Sequence, residues 1–428
     1  MFSKLANIFK VADLRKKVLF TVFIVLAYQL GANVPVPGID IHLLEKINIQ
    51  SQSSGILTFL SLFTGGALTR MAVFGLGIMP YITSSIIIQM LTTAIPKLQQ
   101  WRDEGPIGQK KLTQTTRYLT VGLALLQASG FTYAAHSGGL FNTGTATDLI
   151  PDWNFPRAAY IILTFTAGTA FVMWLGELIT EHGIGNGMSI LIFANVLSNV
   201  PGVFSVVLLQ GGEFDFWTII ILVIAMLVGI VFMEQGQRRI QVVYAKRMLG
   251  RRETQQQSSY IPLKVNQAGV IPVIFASSLL YIPIIIAQVI PSKGFQNFVS
   301  NYIQSYNPTY MAIYAFFVVV FTFFFVRIVF DPIQQADIVR KQGGYIPGIR
   351  PGPQTENYLN RILNRITTPG AIYLAIFATL PAIPFYFWHI KNIPPFGVTV
   401  LIVVGVALET LKQIDSQLTM RNYEGFLS

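Results

Sequence analysis

The sequence contains no cysteine, so no disulfide braces it and no thiolate serves as nucleophile or ligand. Charge is scarce too: only 11% of the 428 residues are Asp, Glu, Lys or Arg, where an ordinary soluble domain carries about 25%. That excludes a water-soluble globular domain. Catalytic signatures are also missing, with no H-E-x-x-H, G-x-S-x-G or G-x-x-x-x-G-K-[ST] anywhere in the chain. The four histidines, His42, His136, His182 and His389, stand apart near the ends of apolar runs. They read as interfacial side chains, not as a metal set. We therefore expect no enzyme, no catalytic residue, no cofactor and no metal.

What the chain has in quantity is apolar residues, 52% of the total. They fall into ten runs near the ~20 residues that span a bilayer as helix. The runs are 18–34, 71–95, 118–133, 158–179, 188–209, 216–233, 268–290, 310–329, 371–388 and 396–411. The short alternating segments of a transmembrane β-barrel are absent. The expected fold is all-α and polytopic, with ten transmembrane helices.

Orientation follows from the basic residues, which accumulate in cytoplasmic loops. With the N-terminus inside, only Lys46, Arg70, Arg157, Lys293 and Lys391 of the 30 Lys and Arg face outward. Both termini are then cytoplasmic, and the chain is a multi-pass protein. The net charge of +11 sits on the inner loops, where it suits anionic lipid or acidic partners. Residues 1–17 place Phe2, Leu5, Phe9 and Ala12 at helical spacing among lysines, as in a helix lying on the membrane surface. A cleaved signal peptide fits poorly, because "GANVPVPG" follows the first run without a small-x-small site.

Two inner loops are long. In 236–267, β-prone pieces at 240–244 and 260–265 flank a basic middle and predict a hairpin. In 331–367, Asp331 and Pro332 predict an N-cap and first turn, and Gly343 a stop. Leu359, Ile362, Leu363 and Ile366 give a second helix an apolar face. Between them "GGYIPGIRPGP" is a stiff turn that presents Arg350. "GIGNG" at 183–187 lacks the spacing of a phosphate loop and reads as a tight inner turn.

One stretch breaks the pattern. Residues 53–70, "SSGILTFLSLFTGGALTR", are too short and too polar to cross, and Gly65 with Gly66 would unwind them. A half-helix is expected at about 57–70, since Arg70 at the bilayer centre would cost about 2.5–3.5 kcal/mol or more. Broken backbone at that depth requires surrounding protein or a water-filled cavity. An extracellular surface helix is the alternative. In the next span Ile78, Ile82, Ser85 and Gln89 form one helical stripe, and Gln267, Ile271, Ile274 and Ser278 repeat it in the seventh. Such a face suits either a pathway closed by dewetting at the isoleucines or helix packing with polar bonds across it. Glu177, Glu234, Arg327 and Glu409 lie near span ends, which argues against a proton-coupled transporter. A facilitative carrier for a small neutral solute stays open.

Several long stretches, in order, closely resemble the SecY family, the channel subunits of bacterial protein translocases, in its Bacillus-type form. They are "PVPGID", "GGALTRMAVFGLGIMPYITSSIIIQML", "WLGELITEHGIGNGMSILIF", "GQRRIQVVYAKR", "PLKVNQAGVIPVIFASS" and "YIPGIRPG". The resemblance implies two five-helix pseudo-symmetric halves around a central pore, divided here as 18–209 and 210–428. It implies a protein-conducting channel of the plasma membrane that passes unfolded preproteins across and releases transmembrane segments sideways into lipid. A plug carrying Leu57, Leu60, Phe63, Gly65, Gly66 and Arg70 would close it. A ring of Ile78, Ile82, Ile192, Val196, Ile274 and Ile402 would seal the pore, the last resting on "LIVVG". The second and seventh spans would form part of a lateral gate, with Ser85, Gln89, Gln267 and Ser278 as its polar contacts. Lys246, Arg247, Arg251, Arg252 and Arg350 would meet the SecA ATPase or a translating ribosome, with SecE and SecG as companion subunits. Clients would be signal-bearing preproteins and nascent membrane proteins.

Overall fold

The computed structural model describes residues 11–40, 64–136, 150, 153–244, 248–249, 252–253, 258–289, 294, 299, 302, 307–388 and 396–424. Among the described residues, ten helices of 16 to 31 residues stand at the ten expected places. They are α1 (Ala12–Gly31), α2 (Met79–Ala94), α4 (Pro106–His136), α5 (Phe155–His182) and α6 (Gly187–Gly211). After them come α7 (Glu213–Gln235), α8 (Ile271–Val289), α9 (Pro308–Val329), α11 (Pro353–Thr379) and α13 (Phe396–Glu424). Shorter helices are α3 (Pro96–Asp103), α10 (Pro332–Lys341) and α12 (Ala382–Phe387). Among the described residues, six helical stretches are long and apolar enough to cross a membrane; five contain α5, α6, α7, α9 and α11, and the sixth lies within α13.

The packing repeats. In the first half α1 lies on α5 and α6, while α2, α4, α5 and α6 pack in sequence. In the second half α7 lies on α11 and α13, while α8, α9, α11 and α13 pack in sequence. The main packing order within one half therefore matches that of the other five spans later, as expected of an internal repeat. The halves meet along α6 with α7 and α13, and again where α2 and α4 face α8.

The turn at 183–187 forms as expected, and its glycines explain how α5 and α6 come so close. A Cβ on Gly187 would stand 1.9 Å from the Gly176 carbonyl oxygen, so only glycine fits. Asn186 caps α6 by accepting from the Met188 and Ser189 amides, and Ile184 N donates to Thr21 Oγ1 on α1 at 3.2 Å.

Both long loops take the predicted form. Strands β1 (Gln237–Tyr244) and β4 (Ser258–Lys264) pair antiparallel, with Ile240 opposite Ile261. A short pair, β2 (Met248–Leu249) and β3 (Arg252–Glu253), continues toward the tip. Asp331 caps α10 by accepting from the Ile333 and Gln334 amides, with Pro332 at the first position. The sequence did not announce that β5 (Gly344–Tyr345) leaves the second loop to pair with β1, in the order β4-β1-β5. Tyr244 Oη donates to Gln342 Oε1 at 3.2 Å, and Ile240, Val242, Leu263, Val339, Ile346 and Leu359 share one buried cluster. The two loops are thus one body.

Four boundaries differ from expectation. Residues 12–17 belong to the first span's own helix α1 instead of a separate surface helix, because nothing between Lys17 and Val18 interrupts it; residues 1–10 lie outside the description. The second span begins at Met79, not 71, since Gly75, Gly77 and Pro80 leave 65–78 as successive turns. The described part of the expected half-helix is likewise turns from Gly65 onward. The second loop helix and the ninth span run on as the single helix α11 through Pro369.

Candidate functional site

The turns at 65–78 are held inside the bundle. Pro35 bridges Ala72, Val36 N donates to Met71 O at 2.9 Å and Val73 N to Val34 O at 2.8 Å. Ala67, Leu68 and Met71 are buried, so this irregular backbone is surrounded by protein, the setting in which a bilayer tolerates broken backbone. Arg70 is exposed, close to the end of α1, and donates to Asn33 Oδ1.

At its start the segment meets two spans. Gly65, at φ +64°, approaches α6 so closely that a Cβ would lie 2.9 Å from Asn195 Oδ1. Asn195 is fully buried and its Nδ2 donates to Tyr28 Oη on α1 at 2.7 Å. Gly66, at φ +81°, continues the turn. Sequence reading passed over Asn195, although an asparagine inside the apolar run "ILIFANVL" is the usual mark of a polar contact between membrane helices. Leu57, Leu60 and Phe63 lie outside the described residues.

All six apolar candidates belong to the large central core that runs through both halves. Ile78, Ile192, Val196, Ile274 and Ile402 are buried members, and Ile82 packs against them half-buried. Ile78 is not inside the second span but immediately before it, where its carbonyl accepts from Ile82 N at 3.1 Å and starts the helix. These candidates come from α2 and its entrance, α6, α8 and α13, and the core they share spans both halves.

The four polar candidates do not bond across the seam. Gln89 Nε2 donates to Ser85 Oγ at 3.4 Å on its own helix, and Ser278 Oγ to the Ile274 carbonyl at 2.9 Å. Gln267 Oε1 accepts from Lys264 N at 3.2 Å, in the turn before α8. Intrahelical carbonyls are nearer partners for short hydroxyls than a neighbouring helix is. The seam is apolar instead: buried Ile86 of α2 shares a cluster with Ala268 and Phe325, against which Ile82, Met90, Ile271 and Phe275 pack. Phe275 meets Phe321 edge-on at 4.4 Å between centroids.

On the loop side Arg350 is exposed on a braced turn. Thr355 Oγ1 donates to its carbonyl at 3.0 Å, and Ile349 N to Ile346 O at 3.0 Å. Arg252 lies in β3, while Lys246, Arg247 and Arg251 fall outside the described residues. Of the histidines, His182 ends α5 and His136 ends α4, stacked on Trp153 at 4.1 Å; His42 and His389 lie outside the description.

Comparison with known proteins matches residues 72–411 to the family model described as SecY. The protein translocase subunit SecY of Streptomyces griseus is 49% identical over 436 residues, covering 100% of both chains. That of Mycobacterium bovis is 47% identical over 442 residues, again covering 100% of both. Among solved structures, a protein conducting channel aligns with TM-score 0.63 at 19% identity, over 94% of this chain and 91% of that one. A SecY whose plug domain is described as stabilising the closed state and maintaining a membrane seal aligns at TM-score 0.62 and 19% identity, with the same coverage. Sec61 in the canine ribosome-channel complex aligns at TM-score 0.60 and 18% identity, also over 94% and 91%.

Proposed function

The chain belongs to the SecY family, and from that premise we propose that it is the protein-conducting subunit of a translocase, carrying unfolded preproteins across the plasma membrane and releasing transmembrane segments into lipid. It is a channel subunit and not an enzyme. The observation that supports the reading at this chain's own residues is that six aliphatic candidates from both halves share one core with Leu68 and Met71 of the irregular segment. Aliphatic side chains closing a narrow passage stop ions by dewetting. They also yield to any polypeptide sequence, since they make no specific bonds.

In this reading residues 57–70 are the plug, of which Gly65, Gly66 and Arg70 are described. Ile78, Ile82, Ile192, Val196, Ile274 and Ile402 form the seal. The seam of α2 against α8 and α9 is the lateral gate, closed by apolar packing, with Ser85, Gln89, Gln267 and Ser278 near it as side chains that can turn to a passing segment. The fused loop body is the docking surface for a motor or ribosome, through Arg350 and the basic tip that includes Lys246, Arg247, Arg251 and Arg252. A ribosome-bound Sec61 with this fold supports the second of these partners. SecE, SecG and the SecA ATPase are assigned as partners through the family resemblance, and anionic lipid through the inner charge. The loops and both termini are cytoplasmic in this reading, from the positive-inside bias. A Bacillus-type origin is proposed on the quoted motifs alone; the relatives compared above are from Streptomyces and Mycobacterium.

Depleting the chain from its cell tests the function. We expect precursors with uncleaved signal sequences to accumulate within one or two doublings. Normal precursor processing together with lost uptake of a neutral solute would favour a facilitator.

A further inference from the structure

Among the described residues, much of the contact between the two halves is apolar, through the core that α2, α6, α8 and α13 share. Among the hydrogen bonds between described residues, one side-chain bond joins the segment before residue 210 to the segment after it: Arg102 Nη2 donates to the Ile328 carbonyl at 3.0 Å. Arg102 is half-buried in the last turn of α3, which leads from the gate helix α2 toward α4. Ile328 lies in the last turn of α9, where helix carbonyls have no intrahelical donor and carry the negative end of the helix dipole. Asp103 and Glu104 follow Arg102 directly, and Glu104 instead pairs with Lys111 at 2.8 Å. The guanidinium thus bridges the loop-side end of the α2/α9 seam, and a charge-assisted bond to an otherwise unpaired carbonyl is among the stronger kinds.

From this placement we propose that Arg102 is a specificity-determining residue that sets how strongly a signal segment must bind before the gate parts. The proposal rests on the gate assignment made above. An apolar segment entering between α2 and α9 has to separate Arg102 from Ile328 O, so the bond stands as a threshold that weakly apolar segments fail to overcome. Ile86, Phe275 and Phe325 hold the rest of the seam by non-directional contact, which an entering apolar side chain replaces in kind. A hydrogen bond to a carbonyl is not replaced in that way.

The test uses the whole complex carrying Arg102→Ala or Arg102→Lys, with two precursors that differ only in the apolar length of the signal. With alanine, export of the weak-signal precursor should rise by about tenfold, the scale of one lost charge-assisted bond. Export of the intact precursor should stay within about twofold, and lysine, which can still donate to Ile328 O, should restore most of the discrimination. Spin labels on cysteines at exposed Lys97 and Arg327 provide a readout independent of export. In the alanine variant the idle-state distance should lengthen and broaden. An unchanged distance, or a fall in both precursors' export in parallel, overturns the threshold role. Failure of the wild-type complex to export the intact precursor would instead defeat the translocase reading.

Discussion

Arg350→Glu is expected to lower precursor export by at least about tenfold while the chain inserts and melts as the wild type does. The side chain is exposed, and the turn beneath it is fixed by main-chain and Thr355 bonds that a new carboxylate leaves intact. Exposed substitutions away from such supports usually change stability by about 0.5 kcal/mol or less. A docking contact behaves differently, because reversing a charge on a rigid display both removes an attraction and installs a repulsion. Pairing of β5 with β1 makes the display rigid, since the tip is held to the other loop's hairpin. The measurement is motor-driven export into vesicles alongside thermal unfolding of purified complex. Retained export would show that the tip is ordinary positive-inside charge.

The second large effect is at Gly65. Gly65→Leu should leave an assembled bundle whose idle channel conducts ions. At φ +64° an L-residue pays about 1–2 kcal/mol, and its Cβ would also meet Asn195 Oδ1 at 2.9 Å. Asn195 has little freedom to retreat, being fully buried and bonded to Tyr28. The least costly relief is for the segment's start to lift away from α6. Removing residues 57–70 entirely is a harsher test, because it also takes away buried Leu68 and the Arg70–Asn33 bond. Single-channel recordings in planar bilayers check the point. Conductance no higher than wild type would mean that this stretch is packing and not a closure.

Much of this architecture was legible in the chain because bilayer physics leaves few choices. Ten runs of the right length gave ten helices, and Asp331-Pro332 and the strand pieces around 240 and 260 gave their cap and hairpin. Contacts between distant segments were not legible. The pairing of β5 with β1, the reach of Arg102 to Ile328 O and the bond from Asn195 to Tyr28 span about a hundred residues or more, and no local pattern encodes such pairs. The seam between α2 and α8 shows the same limit in reverse. Ser85 and Gln89 do share a face, but periodicity gives a face and not the partner, and Gln89 donates to Ser85 on its own helix. The start of the second span was misplaced because hydropathy continues through 71–78, while Gly75, Gly77 and Pro80 deny that stretch a helix.

The absence of cysteine gives a clean background for the most direct test of the central claim, that polypeptide passes through the aliphatic cluster. Single cysteines at Ile82, Ile192 and Ile274, with exposed Ile221 of α7 as control, would be paired with a cysteine in a precursor stalled in transit. Disulfides at all three cluster positions and none at Ile221 are the predicted result; no disulfide at any of the three, in complexes that insert correctly and hold the stalled chain, would contradict it.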